Sequence, residues 1–468
     1  MSRRTTEHDG TSAVQRVRRR YRVIALTAAI ATAIGGVGIA NREGADGSTT
    51  RTQSSGTDWA ITECGTYSGN GCAPMSQRVD LVRPRFSNPT TIDNEYFPVA
   101  HSVIQLGHVD GAPFRSETTR LGRTEAVVWE GKPVQTVLVQ YAAWIDGEIE
   151  EVAIDRYAQA DDGSVWYFGE DVYDYDEGSI VLTEGTWLAG RDGPPAMIMP
   201  ADPRLGDVFR PENILGVVFE EVEVHEVGVT VEGPDGPIDD AIITRELHLD
   251  GSYSDKVFAP SIGEFRTENA DELEAVALVV SGTEQPASRD VAAMITAAWG
   301  TLELIRLEEW DDATRSVDRL TRHWRRVRTD APPLVVEPMT ASLRALRRAI
   351  KAESADHAER ATVAVAESSI DLAARTTAAA AIEGERFHLH AQSARIAAAN
   401  GQNALTTSEV SALEWIRDRF ADNITLANLA EIDARLAAIR TAMDIGNLPA
   451  VADHAARLAA LVRVATVR

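Results

Sequence analysis

Carboxylates crowd one short stretch between positions 171 and 177, where Asp171, Asp174, Asp176 and Glu177 stand. Oxygen ligands at that density suit a hard cation such as calcium. The spacing of an EF-hand is missing, and Asp176-Glu177-Gly178-Ser179 reads equally as a solvated hairpin turn. Glu170 and Glu184 flank that turn, and paired carboxylates perform general acid and base chemistry, although a sheet with this many acids makes such pairs by chance. Aromatic residues form the second group: Trp144, Trp166, Phe168 and Trp187, with Tyr157, Tyr173 and Tyr175 nearby. Side chains alternate along a strand, so Trp166 and Phe168 share a face and Tyr167 takes the other. The rings either build a core or line a concave pocket for an apolar ligand, with Tyr96-Phe97-Pro98 at its rim.

Near the carboxyl end, Glu385 and His388 share a helical face while His390 points elsewhere. His323, His357 and His454 could add ligands from other helices of a bundle, but nothing in their spacing requires it. Trp299, Trp310, Trp324 and Trp415 sit among apolar neighbours and read as packing residues. No glycine-rich phosphate loop, nucleophile elbow or His-Glu-x-x-His motif occurs, so no cofactor and no catalytic residue is expected.

The elements that must position these residues are legible in charge and periodicity. The chain has 468 residues and a formal net charge of −25. Residues 81–285 hold 13 basic and 40 acidic residues, which is essentially the whole excess. Such a balance argues against nucleic acid as partner, because phosphate binding needs a basic surface. From about Val99 to Val280 apolar and polar residues alternate, as in Val217-Val218-Phe219-Glu220-Glu221-Val222-Glu223-Val224. Asp110-Gly111, Glu130-Gly131, Asp146-Gly147 and Glu177-Gly178 mark tight hairpins. The spacing predicts about ten antiparallel strands, in a curved meander or partly closed barrel, with the acids on the water-facing side.

Beyond Pro286-Ala287-Ser288 glycine becomes scarce and alanine abundant, and apolar residues recur at three and four, as in Leu343, Leu346 and Ile350. Ser288 is a natural N-cap. Breaks at Ala331-Pro332-Pro333, Asn400-Gly401 and Gly446-Asn447-Leu448-Pro449 leave about six to eight helices in an α-helical bundle over 286–468. The fold class is thus α+β, a β-domain over 81–285 followed by the bundle.

The amino terminus reads as a membrane signal. Arg16, Arg18, Arg19, Arg20 and Arg22 precede an uncharged run from Val23 to Ala40, about 27 Å long as a helix. Basic residues stay cytoplasmic, so residues 1–22 should lie inside and the chain after Ala40 outside. The run at 23–40 is either a single-span anchor or a signal peptide cut after Ala40. Residues 41–80 form a linker, within which Cys64 and Cys72 close a short Gly-rich loop; outside the cytoplasm that disulfide would persist.

Four segments resemble a family of exported bacterial proteins. They are Phe86-Ser-Asn-Pro-Thr-Thr-Ile-Asp-Asn-Glu-Tyr-Phe-Pro98, Tyr157-Ala-Gln-Ala-Asp-Asp-Gly-Ser-Val-Trp-Tyr-Phe-Gly-Glu170, Met199-Pro-Ala-Asp-Pro203 with Gly206-Asp207, and Phe258-Ala-Pro-Ser-Ile-Gly263. The segments span roughly residues 86–269. After Pro98 the chain departs from the pattern, since Ala100 to Leu106 lacks an aromatic strand. The resemblance implies an exported β-domain and transfers no catalytic residue. The expectation is a membrane-tethered extracytoplasmic binding module, its partner an apolar ligand or another envelope protein. The competing expectation is an envelope enzyme or metal-handling protein built on sheet carboxylates or bundle histidines.

Overall fold

The computed structural model describes residues 59–465 apart from 67–68, 70, 100–101, 270–271 and 281–287. The expected anchor or signal at 23–40, the basic cluster before it and most of the linker lie outside these residues. Among the described residues no helix is long and apolar enough to cross a membrane.

The first half of the sheet is a meander of β1 (Ser102–Val109), β2 (Ala112–Trp129), β3 (Lys132–Ile145), β4 (Glu148–Gln159), β5 (Val165–Asp176) and β6 (Ser179–Leu182). Its turns at Asp110-Gly111, Glu130-Gly131, Asp146-Gly147 and Glu177-Gly178 have positive φ at both residues. Paired positive φ matches the right-handed twist of the flanking strands, which is why the acid-Gly dipeptides punctuate the sequence there. Two short strands follow, β7 (Trp187–Leu188) and β8 (Ala196–Met199), and both pair with β5. The second meander comprises β9 (Val208–Ile214), β10 (Val218–Gly233), β11 (Gly236–His248), β12 (Tyr253–Ala259), β13 (Gly263–Asn269) and β14 (Glu272–Val280).

The meanders join where β1 pairs with β14, giving one antiparallel sheet of fourteen described strands with order β6-β5-β4-β3-β2-β1-β14-β13-β12-β11-β10-β9. The path is open, ending at β6 and β9. The sheet nevertheless curls, because β8, hydrogen-bonded to β5, lies against β9. A seam without strand pairing therefore runs between the two halves. The expectation of about ten strands falls short, since β6, β7 and β8 are too short to display alternation.

Eight described α-helices follow: α1 (Arg289–Arg306), α2 (Trp310–Val327), α3 (Pro333–Lys351), α4 (Ala355–Ala374), α5 (Ala379–Ala399), α6 (Asn403–Phe420), α7 (Leu426–Asp444) and α8 (Leu448–Ala465). Ser288 caps α1, its hydroxyl accepting from the Val291 N–H at 3.2 Å. Pro333 opens α3, where a missing N–H costs nothing. The helices pack on one face of the sheet. α6 packs on β2 and β4, and α3 and α4 reach β14. One apolar core joins α1 to α5 with Ile104 and Leu278. Another joins α5 to α8 with Trp144, Ile149 and Val152. The inner residues of β4 are buried as thoroughly as its outer ones, because the curl encloses them.

Candidate functional site

The enclosed side of the sheet is lined with acid. Glu151 and Asp155 on β4, Glu170 and Asp174 on β5, Glu212 on β9, Glu220 on β10, Glu246 on β11 and Glu274 on β14 are all buried. Register places Glu151 opposite Asp174, Asp155 opposite Glu170, and Glu212 opposite Glu220. Like charges directly opposed on neighbouring strands destabilise a sheet. The expectation that this acid faces water is thus wrong for these eight positions: alternation predicts two faces, but curling decides that the polar one is sealed.

The two ends of the chamber answer the charge differently. At one end Lys256 sits 2.7 Å from Glu246, and His248 Nδ1 lies 3.6 Å from Glu220. Glu220, Glu246 and His248 form a group close enough to share an ion, all ligand atoms within 4.8 Å. Lys256 already supplies the cation there, its own pKa raised because the acids outweigh burial. Burial would raise Glu220, yet Lys256 and His248 hold it below the usual range. Glu246 is pushed up to about 8 by burial and then by Glu220, and Glu274 to about 8 by burial and Glu264. At the other end, among the described residues, acids surround Glu151, Glu170 and Glu212, and Arg156 acts on Asp155. Burial, reinforced by the surrounding acids, lifts Glu151, Glu170 and Glu212 well above the carboxylate range. Burial and Glu184 push Asp174 up to about 7. Burial pushes Asp155 up to about 6, although it accepts from Tyr167 Oη at 2.6 Å.

A narrow cavity of about 120 Å³ leads into this chamber. Phe97, Pro98, Ile262 and Gly263 line its mouth, and Asp155 and Tyr157 lie inside. The mouth is built from two of the four segments singled out in the sequence, 86–98 and 258–263, and Asn94 ties the first of them to 157–170 and 199–203. Its side-chain amide donates to the Gly163 carbonyl at 3.0 Å and the Pro200 carbonyl at 2.9 Å, while its oxygen accepts from Tyr96 and Phe97 N–H groups. The Ser261 N–H adds a bond to the Glu95 carbonyl at 2.7 Å.

A second cavity, about 410 Å³, opens between the sheet and α3 to α6. Leu106, Phe114, Leu389 and Ile396 give it apolar walls. The Trp144 indole stacks on His390 with ring centroids 5.9 Å apart, and His390 Nδ1 lies 2.7 Å from Glu409 Oε2. An ionic network anchors its floor. Arg115 holds Asp371 at 2.8 Å and Glu117 at 2.7 Å, and Arg386 and Arg419 also bond Glu117. Burial would raise Glu117, but the guanidinium groups of Arg386, Arg115 and Arg419 hold it well below the carboxylate range. This network ties α4, α5 and α6 to β2. No family model matches the chain, and no curated protein matches it.

The aromatic residues singled out in the sequence divide among three places. Trp144 borders the larger cavity. Trp166 and Phe168 do share a face, buried against Trp59 and Phe86 with centroids 5.6 and 5.2 Å apart, beyond the reach of the helices. Trp187 is on the enclosed side, 5.5 Å from Tyr167 and donating to Glu212 at 3.3 Å. The four acids divide too. Asp171 faces outward to Arg156 at 2.6 Å, Asp174 faces inward, and Asp176 and Glu177 sit at the turn. Glu170 meets Glu212 rather than Glu184. The Cys64–Cys72 disulfide is present. Among the histidines, His388 Nδ1 pairs with the Ala459 carbonyl and His323 with Asp290. Glu151 and Glu212 carried no sequence signal, since on one strand they look like any solvated Glu.

Proposed function

We propose that the chain is a membrane-tethered, extracytoplasmic binding module whose ligand sits in the cavity between sheet and helices. The observation that carries this reading is the cavity itself, about 410 Å³ with apolar walls and a Trp144–His390–Glu409 array at one side. That volume suits a small organic ligand, and a few placed polar groups among apolar ones suit selective binding. The arginine cluster, the uncharged run at 23–40 and the disulfide support placement outside the membrane, as does the resemblance to exported proteins. On this reading the run at 23–40 is an uncleaved anchor and the curled sheet a partly closed barrel.

Ser393 lines the cavity and is half-buried, so Ser393→Trp fills it without touching Trp144 or the ionic floor. The full chain should bind an anilinonaphthalene dye, and Ser393→Trp should weaken that binding at least tenfold with the melting temperature kept. Equal dye binding by both proteins would refute the cavity as the ligand site.

A further inference from the structure

We propose that Glu170 and Glu212 form a one-proton latch that closes the seam of the curled sheet, and that the seam opens when the pair ionises. Glu170 lies on β5 and Glu212 on β9, strands that do not pair with each other. Both carboxyls are buried, Glu170 at 0% and Glu212 at 2% exposure. Trp187 joins them: it is the cross-strand partner of Glu170 between β5 and β7, and its indole donates to Glu212. Neither Glu170 oxygen accepts a well-formed hydrogen bond from an N–H or O–H group, nor does Glu212 Oε2, whereas Glu212 Oε1 accepts from Trp187 Nε1 at 3.3 Å. Two carboxylates side by side, both acceptors, repel; one proton between them makes a donor of one and an acceptor of the other.

The acidic neighbours favour the protonated pair; the Tyr167 hydroxyl and the Trp187 indole favour the ionised form and are outweighed by burial. Asp155 and Glu151 face Glu170 from β4, Tyr167 stands beside it on β5, and Glu220 faces Glu212 from β10. None of these is a cation, and Lys256 and His248 serve Glu220 and Glu246 at the far end. Burial and the adjoining acids raise both members of the pair well above the carboxylate range. The latch is therefore closed at acid pH and opens as pH rises. Removing the proton puts two negative charges side by side at the seam, where no strand pairing joins the described residues of β8 and β9, and water enters the chamber there.

The test uses hydrogen–deuterium exchange of the full chain, corrected for intrinsic rates, at pH 5.5, 7 and 9. Amides of β8 and β9 should exchange at least tenfold faster at pH 9 than at pH 5.5, while those of β3 and β4 stay protected. Glu212→Gln keeps the Trp187 bond and lets the amide donate to ionised Glu170, so its β9 exchange should not respond to pH. The infrared band of a protonated carboxyl at pH 5.5 should lose intensity in Glu212→Gln and in Glu170→Gln. Wild-type exchange indifferent to pH, or a Glu212→Gln protein that still opens, overturns the latch. So does protection at pH 9 that returns with calcium and vanishes with chelator, which would make the bridging ion a metal.

Discussion

At the scale of single residues, the chamber acids make a measurable statement about pH. Glu274 is buried with its pKa pushed up to about 8, accepting a bond from the Ser116 hydroxyl and facing Glu264 and Lys256. A carboxyl raised in the folded state binds its proton more tightly there than in the unfolded chain. Its contribution is therefore complete below the unfolded value near 4.5 and is lost as pH rises through 8. Asp174, raised to about 7, acts in the same direction. Denaturant unfolding should show stability falling from pH 5 to pH 9. Glu274→Gln stays neutral and still accepts from Ser116, so it should be about 2–4 kcal/mol more stable than the wild type at pH 9 and nearly equal at pH 5. A wild-type profile that rises over that interval would contradict the assignment. The cysteine pair and the Ser288 cap were readable beforehand, because both depend on neighbours within a few positions.

At the scale of elements, the docking of α6 on the sheet decides where the helices sit. Gly178, in the β5–β6 turn, has φ +75°, and a β-carbon there would fall 2.1 Å from the Ser408 nitrogen. The Ser411 hydroxyl donates to the Gly178 carbonyl at 2.8 Å, and the Ile149 N–H donates to Ser408 Oγ at 2.7 Å. Gly178→Ala combines a left-handed backbone with a backbone clash and should cost about 2–4 kcal/mol. Proteolysis should then cut first between α5 and α6, at Asn400-Gly401. An unchanged cleavage pattern and melting temperature would show that α6 is not held at this turn. The sequence announced Glu177-Gly178 as a hairpin, but it held no sign that a helix from more than 200 positions later would rest on it.

At the scale of the molecule, the orientation across the membrane is the broadest claim. With the arginines of positions 16–22 inside, protease added to intact spheroplasts should digest the sheet and the helices. Complete protection of both would reverse the topology. A mature protein starting after Ala40 would keep the export and remove the tether. The same scale settles what the aromatic residues do, since Trp144, Trp166 and Trp187 end in a cavity wall, a packed core and the acid chamber respectively.

The sequence by itself determined the antiparallel strands, the acid-Gly hairpins, the change to helices after Ser288 and the disulfide. Each rests on alternation, local turn sterics or a short loop, all of which act over a few residues. Tertiary structure alone decided that the polar face of the sheet is enclosed, that Lys256 neutralises one end of it, and that Glu170 meets Glu212. A strand of alternating Glu and Val reads the same whether its polar side meets water or a seam. The curl that chooses between them comes from β8 lying against β9, and no local pattern encodes that contact.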